Sequence, residues 1–208
     1  MHGPEHQKAP HTCIIIRKSS ILVPKSPYLC QMRIISGTYR GRTLQAPSSL
    51  PVRPTTDFAR TGLFNLLNSR IYFEDVSFLD LFSGTGVISL EMASRGCGDI
   101  IAVDNNRQCI QFLQQTATSW KVSSIRTIKE DVFKFIRHTK ITVDLIFADP
   151  PYALQGLKDI PAIIIENKLV KPGGLLILEH GDEDSFDGTP HFVETRSYGN
   201  VHFSIFQF

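Results

Sequence analysis

A chain of 208 residues makes one domain, or one domain with a small appendage, and can bury a substantial core. Its 42% hydrophobic content is ordinary for a globular protein, and apolar runs such as Ile160 to Ile165 are far too short to span a bilayer. The net charge of +2 hides a split: residues 1–70 hold ten Lys/Arg against Glu5 and Asp57, net +8, which leaves −6 for the remainder.

A basic appendage on an acidic domain points to a polyanionic partner approaching from one side. The four cysteines (Cys13, Cys30, Cys97, Cys109) lack the paired spacing of a zinc site or redox motif. Cys97 and Cys109 fall in predicted core elements and read as reduced packing residues of a cytoplasmic protein.

Residues 1–31 contain no periodic element, no signal-peptide apolar core and no clear cleavage site. Organised sequence starts at Met32, where translation is expected to begin, so 1–31 reads as a flexible or spurious extension. Residues 32–70 form a basic appendage. Two β-prone pieces flank a turn near Gly37 to Gly41, a predicted hairpin. Arg33, Arg40 and Arg42, with Tyr39 among them, suit phosphate contact and base stacking. Thr56 or Asp57 is the expected N-cap of a helix whose face is Phe58, Leu63, Phe64, Leu66 and Leu67.

Residues 71–208 read as the main domain, and from 76 to 208 strand and helix alternate, the pattern of a parallel sheet with crossover helices. Strands are expected at about 77–82, 99–103, 124–129, 143–148 and 174–179, with helices at about 86–95, 105–118, 131–138 and 155–168. His191 to Phe208 reads as an antiparallel hairpin about Tyr198-Gly-Asn200. His180, His191 and His202 have no metal or triad spacing and read as tail and surface residues.

Phe78-Leu-Asp-Leu-Phe-Ser-Gly-Thr-Gly86 runs from a strand through a glycine turn into a helix, so backbone N–H groups can face a ligand. A dinucleotide fingerprint needs glycine at position 89; Ser89 counts against a dehydrogenase. Asp104, some twenty residues on, stands where a carboxylate binds ribose hydroxyls. Asp131 ends the third strand and suits either an adenine amino group or a helix N-cap. Asp144-Leu-Ile-Phe-Ala-Asp-Pro-Pro-Tyr152 is a buried strand stopped by two prolines that lack N–H groups. There Asp149 and the Pro150 carbonyl offer acceptors, and Tyr152 a stacking face, for a planar group bearing an NH2. An adenosine pocket beside such a corner fits S-adenosylmethionine and an N-methyl transfer that needs no metal and no strong general base.

Six segments resemble the bacterial 16S ribosomal RNA guanine-N2 methyltransferase family (RsmD-like). They are Arg33 to Leu44, Val52 to Asp57, Leu63 to Leu67, Leu79 to Gly86, Glu91 to Gly96 and Asp144 to Tyr152. The resemblance implies an α/β Rossmann-like class I methyltransferase fold with a seven-stranded, mostly parallel sheet whose last strand is antiparallel. It implies S-adenosylmethionine as donor and a guanine of small-subunit ribosomal RNA, free or in a partly assembled particle, as acceptor; a monomer is expected. By the same resemblance Ser83, Gly84, Thr85 and Gly86 hold the methionine end, with Asp80 and Asn105 also in the donor site. Asp104 binds the ribose, and Asp131 with Val132 frames the adenine. Asp149, Pro150 and Tyr152 hold the guanine, while Arg53, Thr55 and Thr56 close over donor or RNA. The chain departs from the family after Asp57, where Phe58-Ala-Arg60-Thr61-Gly62 lacks a basic residue and an acid usual there. The alternatives are N-methylation of DNA or of a protein glutamine, and a non-catalytic ribosome-assembly factor.

Overall fold

The computed structural model describes residues 28–47, 50, 56–151 and 154–208. The hairpin is present: β1 (Tyr28–Arg33) pairs antiparallel with β2 (Thr43–Pro47). β1 begins at Tyr28, four residues ahead of Met32. Helix α1 (Asp57–Asn68) follows, capped by the Thr56 hydroxyl, which accepts from the Ala59 N–H at 3.2 Å.

The rest is a three-layer α/β/α unit. Its sheet contains β3 (Ser77–Leu81), β4 (Asp99–Asp104), β5 (Ile125–Lys129), β6 (Val143–Ala148), β7 (Val170–His180), β8 (Phe192–Tyr198) and β9 (Val201–Gln207). The spatial order is β5-β4-β3-β6-β7-β9-β8. Pairs from β5 through β7 are parallel, and β9 runs antiparallel to both neighbours, as the resemblance implied. Helices α2 (Val87–Ser94), α3 (Arg107–Trp120), α4 (Val132–His138) and α5 (Asp159–Glu166) are the crossovers. The central strands are buried on both faces. Phe78, Ile100, Phe147 and Ile177 face the core shared with α1, α2, α3 and the hairpin, while Leu79, Ile101, Ile146 and Leu176 face α4 and α5.

Local chemistry accounts for the boundaries that differ from expectation. The Asn106 carboxamide accepts from the N–H groups of Gln108 and Cys109, so α3 starts at Arg107 rather than 105. Gly156, at φ +84°, turns the chain before α5, which therefore starts at Asp159 rather than near 155. His180 is a correction: it is buried in the sheet, its Nε2 2.8 Å from the Ser204 hydroxyl.

The hairpin is bolted to the outer side of α2. The Glu91 carboxylate, fully buried, accepts from the Ile35 N–H (2.7 Å), the Ser36 N–H (3.0 Å) and the Arg95 guanidinium (2.8 Å). Ser94 accepts from the Thr38 N–H with its carbonyl and from the Tyr39 N–H with its hydroxyl. Gly37 passes so close that an added Cβ would lie 1.8 Å from the Ser94 carbonyl oxygen. Arg60, also fully buried, reaches from α1 to the Arg33 carbonyl at 2.8 Å and to Asp57 at 2.7 Å. The departure from the family pattern around Phe58 to Gly62 therefore still joins helix to hairpin.

Gly62, a poor helix former, has a reason to be there. The Tyr198 ring packs flat against it, and a Cβ on Gly62 would lie 2.1 Å from a ring carbon. The Tyr198 hydroxyl donates to the Gly62 carbonyl at 3.3 Å. Gly62→Ala is expected to gain about 1 kcal/mol of helix propensity and lose about 1–3 kcal/mol to overpacking. The net result is a lower melting temperature in a thermal denaturation scan. A raised melting temperature would mean that Tyr198 moves aside freely.

Candidate active site

Most of the expected donor-site and corner residues meet in one pocket of about 440 Å³ at the carboxyl ends of β3, β4 and β6. Strand order reverses about β3, where loops leave in opposite directions and open a crevice. Asp80, Ser83, Gly84, Thr85, Asp104, Asn105, Asp131, Val132, Asp149, Pro150 and Thr56 all line it. Gly86 sits just behind the wall at φ +75°, where a Cβ would strike Leu113 at 2.4 Å. Tyr152, Arg53 and Thr55 lie outside the described residues.

Each acid is positioned by its strand. Asp104, on the last residue of β4, accepts from the Gly84 N–H (2.8 Å) and the Asn106 N–H (2.7 Å), which fixes its carboxylate against the glycine turn. Asp131 caps α4, accepting from the Lys134 N–H at 2.9 Å, and also lines the pocket. The helix-cap reading of Asp131 therefore holds, and the same residue borders the pocket. The Asp149 N–H meets the Leu81 carbonyl at 3.4 Å, which keeps the corner registered on β3 before the prolines turn it away. Asp80 lies one step deeper, 1% exposed, and accepts from the Ser89 hydroxyl at 2.5 Å. Ser89, at the position that would be glycine in a dinucleotide fingerprint, thus has a partner of its own.

Sequence reasoning missed several wall residues. Phe82 holds φ +65°, a left-handed conformation unfavourable for a bulky residue and concentrated at functional turns. Phe133, Ile88, Leu154 and Val201 add apolar wall, and Glu179 adds a carboxylate. The sequence signal for Glu179 is an acid set directly after the apolar run Leu175 to Leu178.

The basic residues of the hairpin lie elsewhere. Arg33 and Arg40 are exposed, and the Arg42 guanidinium stacks over Tyr39 (5.1 Å to the centroid) and over Trp120 at the end of α3 (5.5 Å). Trp120 was not anticipated, because nothing within α3 shows what its carboxyl end meets. Cys97 and Cys109 are free, buried thiols, and burial pushes both up to about 11. Among the described residues no His, Cys, Asp and Glu group could hold a metal ion, and no helix is long and apolar enough to cross a membrane.

The pocket's electrostatics suit a cation. Burial raises the Asp80 carboxyl to about 7 against the opposing effect of the Ser89 hydrogen bond, and the neighbouring Asp149 and Asp104 carboxylates push it the same way. A carboxyl whose folded pKa lies above its unfolded value of 3.8 keeps a proton that the unfolded chain has lost. This contribution to stability is therefore intact below pH 3.8 and is lost as pH rises to about 7. Asp80→Asn should flatten that decline, with a gain on the order of 4 kcal/mol at most above pH 7. Denaturant unfolding at pH 5 and pH 8 checks it; an unchanged pH slope would mean that Asp80 titrates normally.

Comparison with known proteins agrees with this architecture. A family model described as Conserved hypothetical protein 95 matches residues 32–207. YlbH of Bacillus subtilis (strain 168) is 31% identical over 183 residues, covering 85% of this chain and 98% of that protein. Ribosomal RNA small subunit methyltransferase D of Escherichia coli (strain K12) is 30% identical, covering 77% of this chain and 80% of that protein. A solved structure of a hypothetical protein of Thermus thermophilus superposes with a TM-score of 0.75 at 28% identity, covering 85% of this chain and 99% of that one. With the match running from Met32 in the hairpin to the end of β9, the chain belongs to this family, that of the RsmD-like methyltransferases.

Proposed function

We propose that this protein transfers a methyl group from S-adenosylmethionine to the exocyclic N2 of a guanine in small-subunit ribosomal RNA. The observation that carries the reading is the union, in one pocket, of the glycine turn, Asp104 and Asp131 with the Asp149-Pro-Pro corner. The names of relatives such as ribosomal RNA small subunit methyltransferase D support the RNA substrate.

The residues present fit the donor. A pocket of about 440 Å³ is within the range of small-ligand sites. The Ser83 hydroxyl is buried with no hydrogen-bond partner among the described residues, an orphan that a polar ligand group would satisfy. Asp104 spends one lone pair of each oxygen on backbone N–H groups and keeps capacity for ribose hydroxyls. Val132, Phe133 and Ile88 supply apolar surface for a purine, with Asp131 at its edge. Asp80 and Asp149 favour positive charge. S-adenosylmethionine, when bound, supplies an electrophilic methyl group on a sulfonium.

This chain's own work is on the acceptor. The Asp149 carboxylate and the Pro150 carbonyl accept the two N–H groups of the exocyclic amine, which draws its lone pair out of conjugation with the ring and aims it. As charge grows on the nitrogen, Asp149 stabilises it, and the acidic product loses its proton without a strong base. Tyr152 fits the role of stacking partner. The cytoplasm, where ribosomal RNA is available, is the fitting compartment, and a monomer suffices because every group invoked comes from one chain.

RNA approach from the hairpin side is supported by charge. Residues 105–129 contain no Asp or Glu but carry Arg107, Lys121, Arg126 and Lys129. The hairpin adds Arg33, Arg40 and Arg42, joined to α3 at Tyr39 and Trp120. Residues 32–70 are thus proposed as an RNA-docking appendage, with Thr56 and, by resemblance, Arg53 and Thr55 at the pocket mouth.

Labelled S-adenosylmethionine incubated with small-subunit particles, naked small-subunit RNA, duplex DNA and protein tests the reading. The expected product is N2-methylguanosine, formed at least about 100-fold more slowly by Asp149→Ala with little change in donor affinity. Label in DNA or in a protein glutamine would overturn the substrate, and no transfer despite donor binding would favour a non-catalytic assembly factor. Arg42→Ala is expected to raise the KM for RNA and lower the salt slope of RNA binding by about one; an unchanged slope would remove Arg42 from the RNA contact.

A further inference from the structure

Phe58 takes no part in the core. Helical periodicity predicts it on the apolar face of α1, but the buried face runs through Ala59, Arg60, Gly62, Leu63, Phe64 and Leu67. Phe58 is 68% exposed instead. Single exposed hydrophobics are common on protein surfaces, so location decides what this one means. Among the described residues the large exposed hydrophobics are Phe58, Tyr72 and Val193, and of these only Phe58 falls within two residues of the pocket lining.

Two separate connections set Phe58 at the pocket rim. Along the chain it follows closely on Thr56, which caps α1 and lines the pocket. Across space its ring meets Tyr198 edge to face, with centroids 5.9 Å apart, and Tyr198 pairs with Val201, another lining residue. An edge-to-face contact leaves at least one face of the Phe58 ring clear of Tyr198. Tyr198 is itself seated, against Gly62 on one side and Phe203 on another, ring centroids 5.7 Å apart. The stretch from Phe58 to Gly62, where the chain departs from its family, is therefore one assembly. Gly62 leaves room for the Tyr198 ring, and Tyr198 backs Phe58. The adjacent Asp57, the single acid of residues 32–70, is paired with Arg60 at 2.7 Å. Arg60 also ties this turn of α1 to the basic hairpin at the Arg33 carbonyl.

Resting on the proposed RNA reaction, we infer that Phe58 stacks on the nucleobase next to the target guanine and so holds the RNA over the pocket. A guanine that enters the crevice leaves its own stack, and its neighbour in the strand loses a partner. An aromatic face at the rim replaces that partner, and it accepts any base, because every base has a π face. The ring is already backed by Tyr198, so little freedom is lost when the base settles on it. The hairpin joined to the same turn favours a polyanion as the carrier of that base. Phe58 thus contacts the substrate outside the reacting guanine.

The test measures RNA affinity of the wild-type protein and of Phe58→Ala, Phe58→Leu and Phe58→Trp, on small-subunit RNA in whichever form is methylated. Phe58→Ala is expected to weaken binding by at least about fivefold, and Phe58→Leu nearly as much, because leucine keeps apolar bulk without a π face. Phe58→Trp should retain wild-type affinity. The salt slope of binding should stay the same, since stacking releases no counterions, in contrast to Arg42→Ala. Melting temperature and S-adenosylmethionine affinity should match the wild type in all three variants, because Phe58 lies outside the core. Removing the base on either side of the methylated guanine then locates the contact. At one of the two positions the abasic substitution and Phe58→Ala together should cost no more than either alone. Additive losses at both positions would overturn the inference, as would wild-type affinity in Phe58→Ala or Phe58→Leu. Failure of the underlying reading looks different: the wild-type protein then forms no N2-methylguanosine, and the inference falls with it.

Discussion

Everything in the pocket depends on the position of β3 between β4 and β6. Parallel strands on both sides of β3 force the chain leaving it to pass over one neighbour, while the chain leaving β6 passes the other way. The crevice between these exits is a consequence of strand order. The glycine turn then brings backbone N–H groups to its floor, and Asp104 locks that turn by accepting from Gly84. Phe82, held at a positive φ beside Gly84 and Gly86, is the bulky residue that this turn forces into the left-handed region.

A second constraint joins the appendage to this unit. Glu91 sits on α2, the helix that begins at the glycine turn, and its buried carboxylate takes two N–H groups of the hairpin and the Arg95 guanidinium. A buried charge is tolerable only when so fully hydrogen-bonded. The same helix therefore sets the pocket at one end and the hairpin along its length, with Met32 meeting Thr85 near the pocket and Tyr39 meeting Ser94 at the far end. A polyanion lying on the hairpin is thus held at a defined distance from the pocket.

Charge is segregated accordingly. The pocket gathers carboxylates, of which Asp80 is raised chiefly by burial and then by its neighbours Asp149 and Asp104, and such a set is relieved by a cationic ligand and by N–H donors. The hairpin and the α3–β5 side carry Arg and Lys without acids, and their junction is an Arg42 guanidinium stacked on Tyr39 and Trp120. The crevice thus favours a cationic group, and the outer face favours a polyanion.

The order of strands and helices, the glycine turn, Asp104 at its strand end and the Asp149-Pro-Pro corner were legible from the chain alone, because each depends on neighbours within a few residues. Period-two runs, glycines that permit positive φ, and prolines that cannot donate act locally. The alternative reading of Asp131 as a helix cap was legible for the same reason. What only the tertiary structure decided are pairings between residues far apart in sequence. Gly62 is explained by Tyr198, the hairpin is held by Glu91, Arg60 is buried against the Arg33 carbonyl, and Glu179 lines the same pocket as Asp149 because β7 lies beside β6 in the sheet. Local propensity carries no information about which distant surface a side chain will meet; that is decided when the sheet closes and the helices pack.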